Sequence, residues 1–137
     1  MQLNTILQIG VVAAAALLTS TAAEAQSLSP MHLTGNTPSA TKGVRLLVGN
    51  PYKVPITFEI VPMDPSFTNP APHAVVQPKE VRLAPGFSRS VLVAFDIDPG
   101  RKERTIGVCV QPKEIAGPIF PRVCGTYTGI RIGGGGG

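Results

Sequence analysis

Residues 75–95 read VVQPKEVRLAPGFSRSVLVAF, and this stretch decides the fold. Apolar residues alternate with others over Val81–Leu83 and again over Val91–Phe95, which is the period of a strand with one buried face. Between the two pieces, Pro85 presets φ for the second position of a turn, and Gly86 supplies the positive φ that a type II turn needs at its third position. The stretch therefore predicts two β-strands joined by a tight Pro-Gly turn.

The rest of the chain after residue 25 continues this pattern of short strands separated by turn signals. It contains no amphipathic helical period and no internal repeat. The other predicted strands are Ser27–Leu33, which is edge-like because of its proline, Val44–Val48, Val54–Ile60, Thr105–Val110 and Val123–Ile132. About seven short strands with turns between them indicate an all-β, immunoglobulin-like β-sandwich.

The first 25 residues have the character of a secretory signal peptide. Ile6–Leu18 is apolar and rich in alanine, and Ala-Glu-Ala at residues 23–25 places small residues at both key positions of a cleavage site. We expect cleavage before Gln26 and export to the periplasm or, alternatively, to the cell surface. The alternative of a retained membrane anchor is disfavoured, because the apolar run Ile9–Leu18 is shorter than the roughly 20 residues that a spanning helix needs. No stable membrane insertion is therefore expected after cleavage.

The mature chain divides into one domain and a short tail. Removing 25 residues from 137 leaves 112, with 12 basic and 7 acidic residues and a net charge of +5. Residues 26–132 suit one immunoglobulin-like domain, which has about 100 residues. The five glycines at 133–137 form no packed structure, and their composition fits a linker, a tail added for expression or the end of a truncated reading frame.

The two cysteines, Cys109 and Cys124, both lie in the mature chain. Export makes a disulfide their expected state. A metal pair is disfavoured because neither His32 nor His73 has a metal-ligand spacing to a cysteine. The cysteines are not in a Cys-x-x-Cys motif, so a structural bridge is favoured over a redox-active one.

The predicted disulfide also sets the register of the last two strands. With the cysteines opposite each other in an antiparallel pair, Ile106 faces Tyr127 on the inward side, and Thr105 faces Thr128 on the outward side with the cysteines. Apolar residues then fall opposite apolar residues, which supports the pairing. Closing a loop of about 15 residues is expected to stabilise the domain by roughly 3 kcal/mol.

Charge and motif content exclude several classes of function. The basic excess is spread along the chain, and its one cluster, Arg-Lys-Glu-Arg at 101–104, lacks the aromatic residues of a nucleic-acid patch. No Ser-His-Asp, Cys-His or phosphate-loop spacing occurs, so we predict no enzyme, cofactor or nucleic-acid partner. Asp96 and Asp98 precede Pro99 and Gly100, where a solvated loop is favoured over a cation site, and no metal is predicted.

Residues 77–93, QPKEVRLAPGFSRSVLV, resemble the central signature of the PapD-like periplasmic pilus chaperones. That signature is a proline, an alternating strand, a Pro-Gly turn and a second strand. Val44–Pro51 resembles the family's second strand, which ends in Asn, and Arg104–Pro112 resembles its sixth. The similarity covers Leu28–Ile132 and implies a PapD-like fold that corresponds to the family's N-terminal immunoglobulin-like domain.

The resemblance implies a chaperone that needs no ATP and lends its last strand to an exported, pilin-like subunit during assembly of surface fibres. In such β-strand addition, main-chain hydrogen bonds bind the partner and alternate side chains fill its groove. Carried onto this chain, the client-binding residues would be Thr126, Thr128, Ile130, Arg131 and Ile132.

Departures from the family keep a second function open, that of a stand-alone secreted structural or adhesive domain such as a fibre subunit. The family anchors the client's terminal carboxylate with an Arg in the first strand and a Lys in the last. Residues 27–34 contain neither, and Gly129 stands at the matching place in the last strand. In the donor segment only Ile130 and Ile132 are large apolar residues, and the family has a second immunoglobulin-like domain, whereas this sequence stops at the glycine tail.

Overall fold

The structure is a computed structural model that describes residues 26–114 and 121–133. The predicted signal peptide, residues 1–25, and residues 134–137 of the glycine tail lie outside the described residues. Nine strands are described: β1 (Ser27–Ser29), β2 (His32–Thr37), β3 (Thr41–Gly49), β4 (Ile56–Met63), β5 (Ala74–Gln77), β6 (Glu80–Leu83), β7 (Ser88–Asp96), β8 (Glu103–Pro112) and β9 (Val123–Arg131). Among these residues, no helix is long and apolar enough to cross a membrane.

The strands form two sheets packed face to face, which confirms the predicted β-sandwich. The four-stranded sheet has the order β1-β3-β7-β5, and the five-stranded sheet has the order β2-β9-β8-β4-β6. Neighbouring strands are antiparallel, with the exception of the parallel pair β2 and β9.

Two segments that the sequence predicts as single strands are each divided between the sheets at a proline. The predicted strand Ser27–Leu33 is β1 in the four-stranded sheet and β2 in the five-stranded sheet, with Pro30 between them. In the same way, β5 and β6 lie on either side of Pro78 in different sheets. Proline lacks the N–H that a strand ladder needs, so pairing stops at each proline. This division is why nine strands stand where about seven are predicted.

The Pro-Gly turn has the predicted geometry. Gly86 has a φ of 77°, and the Phe87 N–H donates to the Ala84 carbonyl over 3.1 Å. The strands on either side of the turn do not pair with each other, because β6 pairs with β4 and β7 lies between β3 and β5. The turn therefore carries the chain from one sheet to the other.

The core lies between the sheets and is built from the alternate residues that the sequence predicts to face inward. Its largest fully buried side chains include Leu46, Val48, Phe58, Val91, Val93, Phe95, Ile106, Val108, Val110 and Tyr127. The third strand begins at Ile56, two residues later than predicted, because Pro55 precedes it and does not enter the ladder. Val54 therefore lies in the preceding loop, where its side chain is 58% exposed.

The predicted disulfide and register are both confirmed. Cys109 lies opposite Cys124 and is bonded to it, and Ile106 pairs with Tyr127. The connection between β4 and β5 covers part of the outer face beside the disulfide. A Cβ atom at Gly107 would lie 2.6 Å from the ring of Phe67, so glycine is required for this close approach.

Candidate functional site

The candidate site is the edge of the five-stranded sheet where β2 lies against β9. Over Thr126–Ile130, β9 is paired on both sides, with antiparallel β8 on one side and parallel β2 on the other. No strand of the described residues pairs with the other side of β2. The last strand, which carries the predicted client-binding residues, is therefore one strand in from the edge that a partner would meet.

Alternate residues of β2 direct their main-chain groups to opposite sides. The Thr126 N–H donates to the Met31 carbonyl over 2.8 Å, and the Ile132 N–H donates to the Thr37 carbonyl over 2.9 Å. The odd-numbered residues of this segment therefore bond to β9. The N–H and C=O groups of the even-numbered residues of β2 point away from β9, towards the open edge.

The even-numbered residues of β2 are His32, Thr34 and Asn36. Their side chains are exposed, and Thr37 is the buried residue of the strand. An unpaired row of main-chain groups on an exposed strand is a template for pairing with another chain. The Asn36 carbonyl also accepts a hydrogen bond from Lys42 Nζ over 3.2 Å, which leaves the groups of the other two residues for a partner.

The predicted residues Thr126, Thr128 and Ile130 lie on the outer face of the five-stranded sheet. Thr126 Oγ1 is 2.7 Å from His32 Nδ1, and Thr128 Oγ1 is 2.7 Å from Thr105 Oγ1. Ile130 is half-buried. Ile132 follows the end of the strand, with its side chain 46% exposed. The structure thus places these four predicted residues along one line, next to the open edge.

The predicted residue Arg131 faces the other way. Its Nη2 donates to the carbonyl oxygens of Ile97, at 2.7 Å, and Asp98, at 3.4 Å. Its Nε is buried and has no hydrogen-bond partner within the described residues. The guanidinium therefore ties the end of β9 to the segment after β7, and it is not grouped with the other four residues.

Tyr127 holds the edge strand from the inside. Its ring is buried, and its hydroxyl donates to the carbonyl of Pro30, in the crossing between β1 and β2. Desolvation by burial raises the pKa of this hydroxyl to about 12. Tyr127, predicted as a core residue, thus also positions the start of β2.

Sequence reasoning missed Lys42, a residue of the other sheet. A Cβ atom at Gly129 would lie 2.7 Å from Lys42 Cβ, so the lysine stem occupies the space inside β9 at that position. Its Nζ emerges at the open edge, where it bonds to Asn36. Nothing in the sequence near either strand signals this contact, because it joins residues of different sheets.

The described residues contain no group of three or more His, Cys, Asp or Glu side chains placed to hold a metal ion. The chemistry that this site offers is main-chain hydrogen bonding along an edge, with a mixed polar and apolar face beside it. Such a site binds an extended peptide strand.

No protein-family model matches the sequence, and no curated protein matches it. Solved structures do match the fold. The Escherichia coli chaperone DraB superposes with a TM-score of 0.62 at 20% identity, covering 79% of this chain and 55% of that chain. A chain of the Salmonella enterica SafA pilin–SafB chaperone complex superposes with a TM-score of 0.65 at 17% identity, covering 82% of this chain and 57% of that chain. The PapD-like domain 7 of human CEP192 superposes with a TM-score of 0.58 at 14% identity, covering 79% of this chain and 85% of that chain.

These similarities confirm the predicted PapD-like, immunoglobulin-like fold. This chain spans 55% and 57% of the length of the two matched bacterial chains. At 20% identity or less, the likeness establishes the fold alone. The human domain shows that the same fold also occurs outside bacterial chaperones.

Proposed function

We propose that this protein is a periplasmic, chaperone-like protein that assists assembly of surface fibres by β-strand pairing with an exported, pilin-like subunit. The observation that carries the proposal is the open edge of β2, whose even-numbered residues present unpaired main-chain groups beside β9. The fold shared with DraB and with the SafA–SafB complex supports the same assignment.

In this proposal, the client contributes an extended strand that continues the five-stranded sheet. Its main chain bonds to the groups of His32 and Thr34 that point away from β9. The client's alternate side chains meet those of β2, and the outer-face side chains of β9, including Ile130, lie one strand farther away, about 10 Å from the client's main chain. Strand donation by β9 itself requires β2 to withdraw, because β2 covers the same main-chain groups of Thr126–Arg131.

Lys42 is the basic residue that we assign to this edge. Its ammonium lies beside the Asn36 carbonyl, at the end of β2 where the strand meets Ile132. An ammonium at the end of a strand-binding edge can pair with a client's terminal carboxylate. In this proposal Lys42 takes the role of the lysine that the family has in its last strand. A lysine at position 129 would collide with the Lys42 side chain, because even a Cβ atom there would lie 2.7 Å from Lys42 Cβ.

The proposal is tested by co-expression with an exported, pilin-like subunit from the same source, comparing Thr34→Pro with Thr34→Val. Proline removes the N–H that points to the open edge, and its ring projects towards the client. The bonds between β2 and β9 use other residues of the strand, so they are retained in both variants. We expect Thr34→Val to co-purify with the subunit and Thr34→Pro to lose it. Equal recovery with both variants would show that the client does not pair with this edge.

The side-chain part of the proposal has its own test. Where the client displaces β2 and takes β9 as its donor strand, aspartate at Ile130 or Ile132 places a charge against the client's apolar groove, so both substitutions should then weaken the complex. Arg131→Gln on the inner face serves as the comparison, because its effect should appear in domain stability. If the complex stays intact with both aspartates present, the outer face of β9 takes no part in binding.

The alternative is a stand-alone secreted domain with a structural or adhesive role. The lack of the family's anchor pair, with no Arg or Lys in residues 27–34 and a glycine at position 129, favours this alternative. A domain of this kind would form fibres or bind a surface without any separate subunit. Self-association of the purified protein, with no complex on co-expression, would support this alternative over the chaperone.

A further inference from the structure

One end of the sandwich carries exposed apolar side chains on two fixed loops. We call it the entry end and define it by Gln26, residues 50–55 and residues 84–87. Val54 is 58% exposed in the first loop, and Phe87 is 65% exposed in the second. Three prolines in these loops, Pro51, Pro55 and Pro85, are also exposed. Exposed apolar groups gathered in one place mark an interaction surface.

Asn50 holds the two loops together from within. It is 2% exposed. Its N–H donates to the Phe87 carbonyl over 2.9 Å, and its own carbonyl accepts from the Gly86 N–H over 2.8 Å. Its Nδ2 donates to the carbonyls of Val54 and Leu83, each over 2.9 Å. The side chains of Val54 and Phe87 are therefore exposed on two loops that hydrogen bonds to Asn50 hold in place.

The entry end is also positively charged. Lys53 lies within it, and Arg82, Arg89 and Arg122 lie on the adjoining ends of the strands beside it; all four are exposed and form no ion pair within the described residues. Lys113 lies nearby and is paired with Glu80 over 3.0 Å. The acids around Lys113 are Glu80, Glu59 and Glu114, which leaves the five basic residues in excess. At the opposite end, by contrast, basic residues are interspersed with Asp64, Asp96, Asp98 and Glu103.

The N-terminal segment joins the domain at this same end. The Gln26 side chain is buried, and its Nε2 donates to the carbonyls of Val110, at 2.8 Å, and Pro121, at 2.9 Å. Residues 1–25, with the apolar run Ile6–Leu18, therefore attach where Val54 and Phe87 are exposed. A leader of the predicted kind would therefore lead into the export membrane from the entry end.

We propose that the entry end binds the surface of an anionic phospholipid bilayer. The apolar side chains enter the boundary between headgroups and acyl chains, and the basic side chains are attracted by the lipid phosphates. This surface is separate from the β2 edge, so binding to a membrane leaves that edge open. The inference is independent of the proposed function, because it uses none of the client-binding residues.

The test uses the chain from Gln26 to Gly137, which contains the whole described core from Leu28 to Tyr127. Co-sedimentation is measured with vesicles of phosphatidylcholine alone and with added phosphatidylglycerol. We expect binding to the anionic vesicles that weakens as salt is raised. Loss of one basic residue, as in Lys53→Gln, should weaken binding about fivefold, and Phe87→Ser should weaken it about tenfold.

Lys53→Gln and a further entry-end change, Val54→Ser, each have a matched control away from the entry end. Val54→Ser is compared with Val75→Ser, because Val75 is 62% exposed on the four-stranded sheet, and Lys53→Gln is compared with Arg101→Gln. The controls should bind as the parent chain does. The proposal is overturned if the parent chain does not bind anionic vesicles. It is overturned equally if the entry-end variants bind like their controls, or if binding ignores lipid charge and salt.

Discussion

Asn50→Ala tests whether one buried amide braces the loops at the entry end. The substitution removes the two bonds donated by Nδ2 to the carbonyls of Val54 and Leu83, each 2.9 Å long. It also removes the bond that Oδ1 accepts from the Tyr52 N–H over 2.9 Å. The main-chain bonds of Asn50 to the second loop are unaffected, so the loss is confined to the side chain.

The magnitude follows from where each lost partner lies. The bond to Leu83 is buried, and a buried carbonyl left without a donor costs about 1–3 kcal/mol. The bonds to Val54 and Tyr52 are partly buried, so water can replace them and each costs about 0.5 kcal/mol. We therefore expect a loss of about 3 kcal/mol, a large share of the roughly 5–15 kcal/mol of a typical domain.

Urea unfolding measures this loss as a lower midpoint with an unchanged slope. Asn36→Ala is the control, because Asn36 is exposed on β2 and its side chain forms no hydrogen bond within the described residues. The control should change the free energy of unfolding by less than about 0.5 kcal/mol. Asn50→Asp should be as destabilising as alanine, since it sets an oxygen against two carbonyl oxygens. A loss below about 1 kcal/mol for Asn50→Ala would refute this account of the loops.

Three further predictions concern the disulfide, the buried tyrosine and the N terminus. Replacing both Cys109 and Cys124 by alanine should cost roughly 3 kcal/mol in urea unfolding, and a reducing agent should destabilise the parent chain but not this variant. Because the pKa of Tyr127 is raised from 10.0 to about 12, the unfolded chain loses the proton first as pH rises. The free energy of unfolding should therefore fall between about pH 10 and 12, and it should fall less steeply in the Tyr127→Phe variant. Parallel curves of unfolding free energy against pH for the two proteins would contradict this. The intact mass of the exported protein should correspond to a chain that begins at Gln26, and a retained leader would show the cleavage prediction to be wrong.

Alternation along the sequence predicted which residues are buried, because side-chain direction in a strand follows from position alone. Val91, Val93 and Phe95 show this, and so does the pairing of Ile106 with Tyr127. The cysteine pair extended the same local rule to register, since one fixed contact between two strands determines the others.

The order of strands in the sheets could not be predicted in the same way. Alternation says which face of a strand is buried, but it does not say which strand lies beside it. The division of the first strand at Pro30 places β2 beside β9, where it pairs with the edge of β9 that would otherwise be open. This decides which main-chain groups a client can reach. The contact of Lys42 with Gly129 likewise depends on packing between sheets, for which neither sequence segment carries a signal.

Amide hydrogen exchange along β2, with and without a bound subunit, tests most directly whether a client pairs with this edge. The amides of Leu33 and Gly35 face β9 and should be protected in the free protein, whereas those of His32 and Thr34 should exchange quickly. On binding, we predict that His32 and Thr34 become protected while Leu33 and Gly35 stay protected. Loss of protection at Leu33 and Gly35 would instead show that the client displaces β2 and pairs with β9. A stable complex that leaves exchange along β2 unchanged would contradict the account.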